Sequence, residues 1–182
     1  MVQPWLNSHV CYCVDIAHPP GETRDGNLVR VGADVRDWLP PYGMIAAAFF
    51  FPPCTDVAVS GARWFKDKGL GGLIGALELF DWSVKIAEWT GAPYLIENPV
   101  STVSTYWRKP DHTFQPWQYG DRYFKKTCLW TGGGFVMPEP LFTEPPEGTE
   151  ATIWKMPPSE DRAQKRSLTP MGFAQAVYQA NA

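Results

Sequence analysis

Residues 44–51 carry no polar side chain from Met44 to Phe51, and a stretch that is apolar at every position fits a parallel strand covered on both faces. It predicts a central strand. A second apolar run, 94–96, follows a segment at 70–89 in which Leu73, Leu77, Phe80, Val84 and Ala87 alternate spacings of four and three. That is the mark of an amphipathic helix, which Gly91 stops. Strand, helix and strand in that order imply a right-handed crossover. Earlier in the chain, 9–16 reads as a short strand ending in Asp15, after which Pro19, Pro20 and Gly21 stop regular structure. Residues 27–31 read as another strand, followed by Gly32, Ala33, Asp34 and a helical turn at 35–39 that Pro40 and Pro41 terminate. A later strand at 127–130 and a terminal helix at 170–180 complete the pattern, with a loop rich in Gly, Pro and Glu at 131–158 between them. The predicted fold is α/β, a doubly wound, mostly parallel, Rossmann-like sheet.

A chain of 182 residues with 45% hydrophobic and 19% charged content suits one domain spanning 1–182. Its 18 prolines and 9 tryptophans favour short connections and ordered loops over long helices. A formal net charge of −3 excludes a protein that merely coats nucleic acid, because such binding draws its energy from phosphate neutralisation. No stretch approaches the roughly 20 apolar residues that span a bilayer, and the N-terminus lacks a basic region followed by an apolar signal core. The expected compartment is the cytoplasm, and four cysteines without disulfide-rich spacing agree with a reducing one.

The candidate chemistry lies where the apolar runs end. Pro52, Pro53 and Cys54 close the first, and Glu97, Asn98 and Pro99 close the second. A thiol and a carboxylate at the carboxyl ends of buried parallel strands would stand in the crevice where open α/β sheets bind ligands. Asp15 and Asp34 fall at two further strand ends. Singly, each has an ordinary reading: a cysteine after two prolines is more often a buried structural thiol, and an aspartate at a strand end a turn residue. The ordered set favours chemistry. Cys11 and Cys13, with His9 on the same strand face, read as core residues more readily than as metal ligands, and no metal is expected. Residues 106–126 mix Tyr106, Trp107, Phe114, Trp117, Tyr119, Tyr123 and Phe124 with Arg108, Lys109, Arg122, Lys125 and Lys126, which suits base stacking and phosphate contact as well as a packed loop with a charged face.

These residues resemble the DNA cytosine-5 methyltransferases, in a minimal form such as phages encode. By that resemblance Cys54 is the nucleophile that adds to cytosine C6, and Glu97 is the acid at N3. Asp15 with Ile16, Asp34 and Pro52 would contact S-adenosylmethionine. Pro53, Asn98 and one of Arg122, Lys125 or Lys126 would contact the base, the basic residue at its carbonyl oxygen, and Arg166 would belong to a late Arg-rich motif in 162–180. Cytosine C5 is a poor nucleophile, so thiolate addition at C6, with charge on the ring offset near N3, creates an enamine able to take a methyl group. The base must leave the duplex to meet the thiol.

The resemblance also implies absences. Only residues 1–8 precede the 9–16 strand, and they look like the tail of a helix, so the family's first strand and its glycine-rich cofactor loop are not expected in this sequence. That strand lies centrally in the family's sheet, between those ending in Asp15 and Cys54. Its loss predicts two open edges, which direct pairing, a second copy of the chain or a separate polypeptide would satisfy. No separate target-recognition domain is expected. The partner implied is DNA or a cytosine nucleotide; the alternative is a catalytically inactive module of the same fold that binds nucleic acid or a host protein.

Overall fold

Residues 1–41, 45–150 and 167–182 are described by a computed structural model, in which the apolar runs resolve into two open sheets, each mixing parallel and antiparallel pairs. The chain is mixed α/β. In the first sheet, β1 (Cys11–Val14), β2 (Gly21–Asp25) and β3 (Leu28–Gly32) stand in the order β1-β3-β2, with β1 parallel and β2 antiparallel to β3. The second contains β4 (Ala48–Phe50), β5 (Tyr94–Pro99), β6 (His112–Phe114) and β7 (Thr127–Gly132) in the order β4-β5-β7-β6. Here β4 is parallel to β5, and β7 runs antiparallel to both of its neighbours. Three helices accompany them among the described residues: α1 (Phe65–Thr90), α2 (Val103–Tyr106) and α3 (Met171–Asn181).

Several expectations change. The single, mostly parallel sheet is divided in two, and antiparallel pairings join parallel ones in both parts. β2 forms directly after Pro19 and Pro20, starting at Gly21, where that cluster predicts an end to regular structure. Its residues are all exposed and none is apolar, so no periodicity announces it; a two-residue turn with Gly26 at φ 57° folds it back on β3. Residues 35–36 make a turn with no helix, closed by the Asp37 amide on the Asp34 carbonyl at 3.0 Å. β4 lies at the edge of its sheet, and its side chains are only partly buried. Lastly, β5 runs three residues past 96, so Glu97, Asn98 and Pro99 pair with Leu129, Cys128 and Thr127 of β7.

The crossover itself follows the pattern. α1 buries Phe80, Val84 and Ala87, packs Leu73 and Leu77 on the same cluster, and ends at Gly91 in the left-handed conformation (φ 62°). Strand alternation then divides the core. Tyr94, Ile96, Cys128 and Trp130 meet α1 on one face of the sheet, whereas Leu95 and Leu129 meet Phe173 and Val177 of α3 on the other. Trp130 is fully buried, its ring edge-on to Phe80 at 5.2 Å and its indole N–H donating to the Arg108 carbonyl at 2.9 Å. Gly133, at φ 61°, sits so close to the Ala92 carbonyl that a Cβ would lie 1.9 Å from its oxygen. Gly133 thus serves packing.

Among the described residues both sheets end on a strand with one neighbour. The Cys11 and Asp15 amides bond to β3 and its flank, so by alternation the backbone groups of Tyr12 and Val14 face the other way. The Ala48 amide likewise donates to Pro93, which turns Phe49 outward. A 3-10 turn at Gln3–Trp5 packs near that rim: Trp5 is buried, its ring 5.5 Å from Phe49 and 5.1 Å from Tyr178.

Candidate functional site

Two loops leave the adjacent ends of β4 and β5 and are tied to each other. Asn98, 1% exposed, donates from Nδ2 to the Pro52 carbonyl at 3.1 Å. Beyond it the Val59 amide donates to Val100, the Thr102 amide donates to Val57 (both 2.9 Å), and Ala58 forms a bridge with Ser101. Cys54 sits inside this lacing. Its carbonyl accepts from the Val57 and Ala58 amides, and its half-buried thiol, not in a disulfide, packs on the α1 side of the core. Pro52 is buried and Pro53 exposed.

Glu97 leaves β5 on the opposite face, in the same alternation as Leu95, and its carboxylate lies 3.7 Å from Lys125 Nζ. Their side chains are 18% and 15% exposed, which makes this the most enclosed ion pair among the described residues. Burial raises the pKa of the Glu97 carboxyl and Lys125 opposes the rise without cancelling it. Beside the pair is a cavity of about 10 Å³ closed by Phe51, Phe114 and Phe173, room for about one water. The Lys125 amide donates to Gln115 Oε1 at 2.9 Å, and its ammonium also reaches the Leu168 carbonyl at 3.5 Å.

No protein-family model matches this chain, and no curated protein or solved structure matches it significantly.

Of the three basic candidates for the base's carbonyl oxygen, the structure brings only Lys125 to the acid. Arg122 is exposed and donates to the Glu147 carbonyl at 3.3 Å, and Lys126 is exposed. Sequence held the signal. Lys125 shares strand parity with Leu129, which pairs directly with Glu97, while Lys126 has the parity of Cys128 on the α1 face. Arg166 lies outside the described residues.

The aspartates stand in the other sheet, β1-β3-β2. Asp15 is exposed at the end of β1, with Oδ1 accepting the Ala17 amide at 2.8 Å, and Ile16 beside it is 77% exposed. Asp34 accepts from Arg36 on both oxygens, from Nε at 3.0 Å and from Nη2 at 2.7 Å, which lowers its carboxyl to about 2. Within 106–126, Phe114, Trp117 and Tyr119 are buried, Tyr123 and Phe124 are partly buried, and Tyr106 and Trp107 are exposed, with Arg108 lying 4.5 Å from the Trp107 ring centroid. Among the described residues no three His, Cys, Asp or Glu side chains converge on a possible metal position, and no helix is long and apolar enough to cross a membrane.

Proposed function

We propose that this chain is a DNA cytosine-5 methyltransferase-like protein whose residues supply the half of the reaction that activates the base. One observation carries the reading: the loop holding Cys54 is laced to the end of the strand that holds Glu97, and that acid is buried against Lys125. The two side chains leave opposite faces of the sheet, so a pyrimidine that meets both stands over the ends of β4 and β5. The thiolate adds to C6, Glu97 shares its proton with N3, and the Lys125 ammonium balances charge at the neighbouring carbonyl oxygen. Burial suits Glu97 to that part, because a carboxyl held above its ordinary pKa carries a proton more readily near neutrality.

The finer fold reading, a doubly wound Rossmann-like sheet lacking its central strand, rests on where the two sheets stop. Their end strands β1 and β4 are the ones between which that strand is expected. A second copy or a separate polypeptide inserted there would join the sheets. S-adenosylmethionine, the implied methyl donor, does not fit the described residues as they stand: Asp34 is engaged by Arg36, Asp15 and Asp34 belong to a different sheet from Cys54, and the space beside Glu97 holds about one water. That mismatch favours a second reading, an inactive relative that binds nucleic acid or a host protein.

Hydrogen exchange at cytosine C5 separates the two. Reversible addition of a thiol at C6 makes C5 exchange its hydrogen with solvent, so cytosine DNA in deuterium oxide gains mass without any donor present. We expect exchange with the native chain and none with Cys54→Ala. Absence of exchange by the native chain, together with no methyl transfer when S-adenosylmethionine is added, removes the cytosine chemistry.

A further inference from the structure

A cavity of about 440 Å³ opens beside the Cys54 loop, in the range of small-ligand sites, and none of the roles above uses it. It exists because Gly69, at φ 68° and ψ −178°, breaks α1 after its first turn and swings Phe65 to Lys68 off the axis of the helix that follows. Lys68 donates to the Thr55 carbonyl at 2.6 Å and pairs with Asp56 at 2.8 Å, fixing the cavity against the two residues that follow Cys54. Its lining has three chemical parts. Phe65 and the 61% exposed Tyr106 offer aromatic surface, Leu73 an apolar floor, and Lys66 an exposed ammonium with no ion pair among the described residues. The third part is Thr102, whose buried hydroxyl has no hydrogen-bond partner, like Ser101 Oγ beside it and Asn98 Oδ1 near the end of β5. Of these three residues Thr102 is the one that lines the cavity, so its hydroxyl is the polar group there with hydrogen-bonding capacity to spare.

We infer that this cavity takes the nucleobase next to the reacting cytosine on the same strand. An apolar peptide would leave Thr102 and Lys66 unmatched, whereas a nucleotide carries a π-face for Tyr106, a polar edge for Thr102 after rotation about χ1, and a phosphate for Lys66. The assignment rests on the cytosine reading, because only a base held at Cys54 brings its neighbour here. It also makes the preferred substrate an unpaired strand, since a duplex neighbour would stay stacked and paired.

Fluorescence anisotropy with a short single-stranded oligonucleotide containing one cytosine tests this, alongside oligonucleotides abasic on either side of that cytosine. Tyr106→Ala is expected to weaken binding about ten-fold, the scale of one base stack, and Lys66→Ala to reduce the salt slope by about 0.7, the share of one phosphate. An abasic neighbour on one side should cost the native chain a similar factor and cost Tyr106→Ala nothing further. Native binding by both variants, or an undiminished abasic penalty in Tyr106→Ala, overturns the pocket. C5 hydrogen exchange in the same samples keeps the failures apart: exchange without these effects removes the pocket alone, and the effects without exchange support a base pocket while removing the thiol chemistry.

Discussion

The carboxyl ends of β4 and β5 and those of β1 and β3 present acids in opposite ways. Glu97 is enclosed, faces a single cation and has a raised pKa, whereas Asp34 is partly exposed and gripped by Arg36 on both oxygens, which holds its carboxyl down at about 2. Asp15 spends one oxygen on its own turn. Enclosure is what gives an acid a proton to share near neutrality, and only the β4–β5 end provides it. The first end keeps its acid beside one cation under cover, and the second uses its acids to close turns.

That contrast can be broken in order of effect. Lys125→Met should hit hardest, slowing C5 exchange about 100-fold or more, the range of a lost acid–base partner, while the alkaline limb of the pH–rate profile, where Glu97 gives up its proton, moves to higher pH as the acid loses its cation. An unchanged profile would mean that the two groups do not act together. Asn98→Ala removes the link to Pro52 from a buried position and should cost about 2 kcal/mol in urea unfolding, with exchange falling as the Cys54 loop loosens.

Glu97→Gln tests enclosure through stability. The native carboxyl has a raised pKa in the folded state, so its favourable contribution is present below its unfolded pKa and lost as pH rises through the folded value. The glutamine variant should therefore melt higher than the native chain at neutral pH, with the gap closing on acidification; a gap constant with pH would place Glu97 in water. Arg36→Ala should have the smallest effect, raising the Asp34 pKa from about 2 toward the ordinary carboxyl range in an NMR titration with little change in melting.

How far sequence reached follows from how each element is held. α1 was legible because Phe80, Val84 and Ala87 face one cluster at helical spacing, and its stop because Gly91 takes a left-handed conformation. α3 was legible for the same reason. β2 was not, since a strand with no buried face leaves no alternation to read, and neither was β6, whose three residues bury only Phe114. The apolar run ending at Phe51 suggested a middle position, yet among the described residues β4 has one strand neighbour, and Trp5 and the N-terminal turn pack near its other side. At the site, Cys54 and Glu97 were visible as the ends of apolar runs. The orphaned hydroxyls of Ser101 and Thr102 and the grip of Arg36 on Asp34 depend on folded geometry and have no signature in composition or spacing.

One clamp reaches further than its size suggests. The Asp121 carboxylate accepts the Gly172 amide at 2.9 Å, and a side chain on Gly172 would collide with the Tyr119 carbonyl, so the start of α3 is pinned flush against the turn that follows β6. Phe173, one residue on, stacks on Phe114 at 3.9 Å and walls off Glu97 from bulk solvent. The final helix is therefore the insulation around the acid, and unfastening it at Gly172 would return Glu97 to the behaviour of a surface carboxylate with Glu97 itself left untouched.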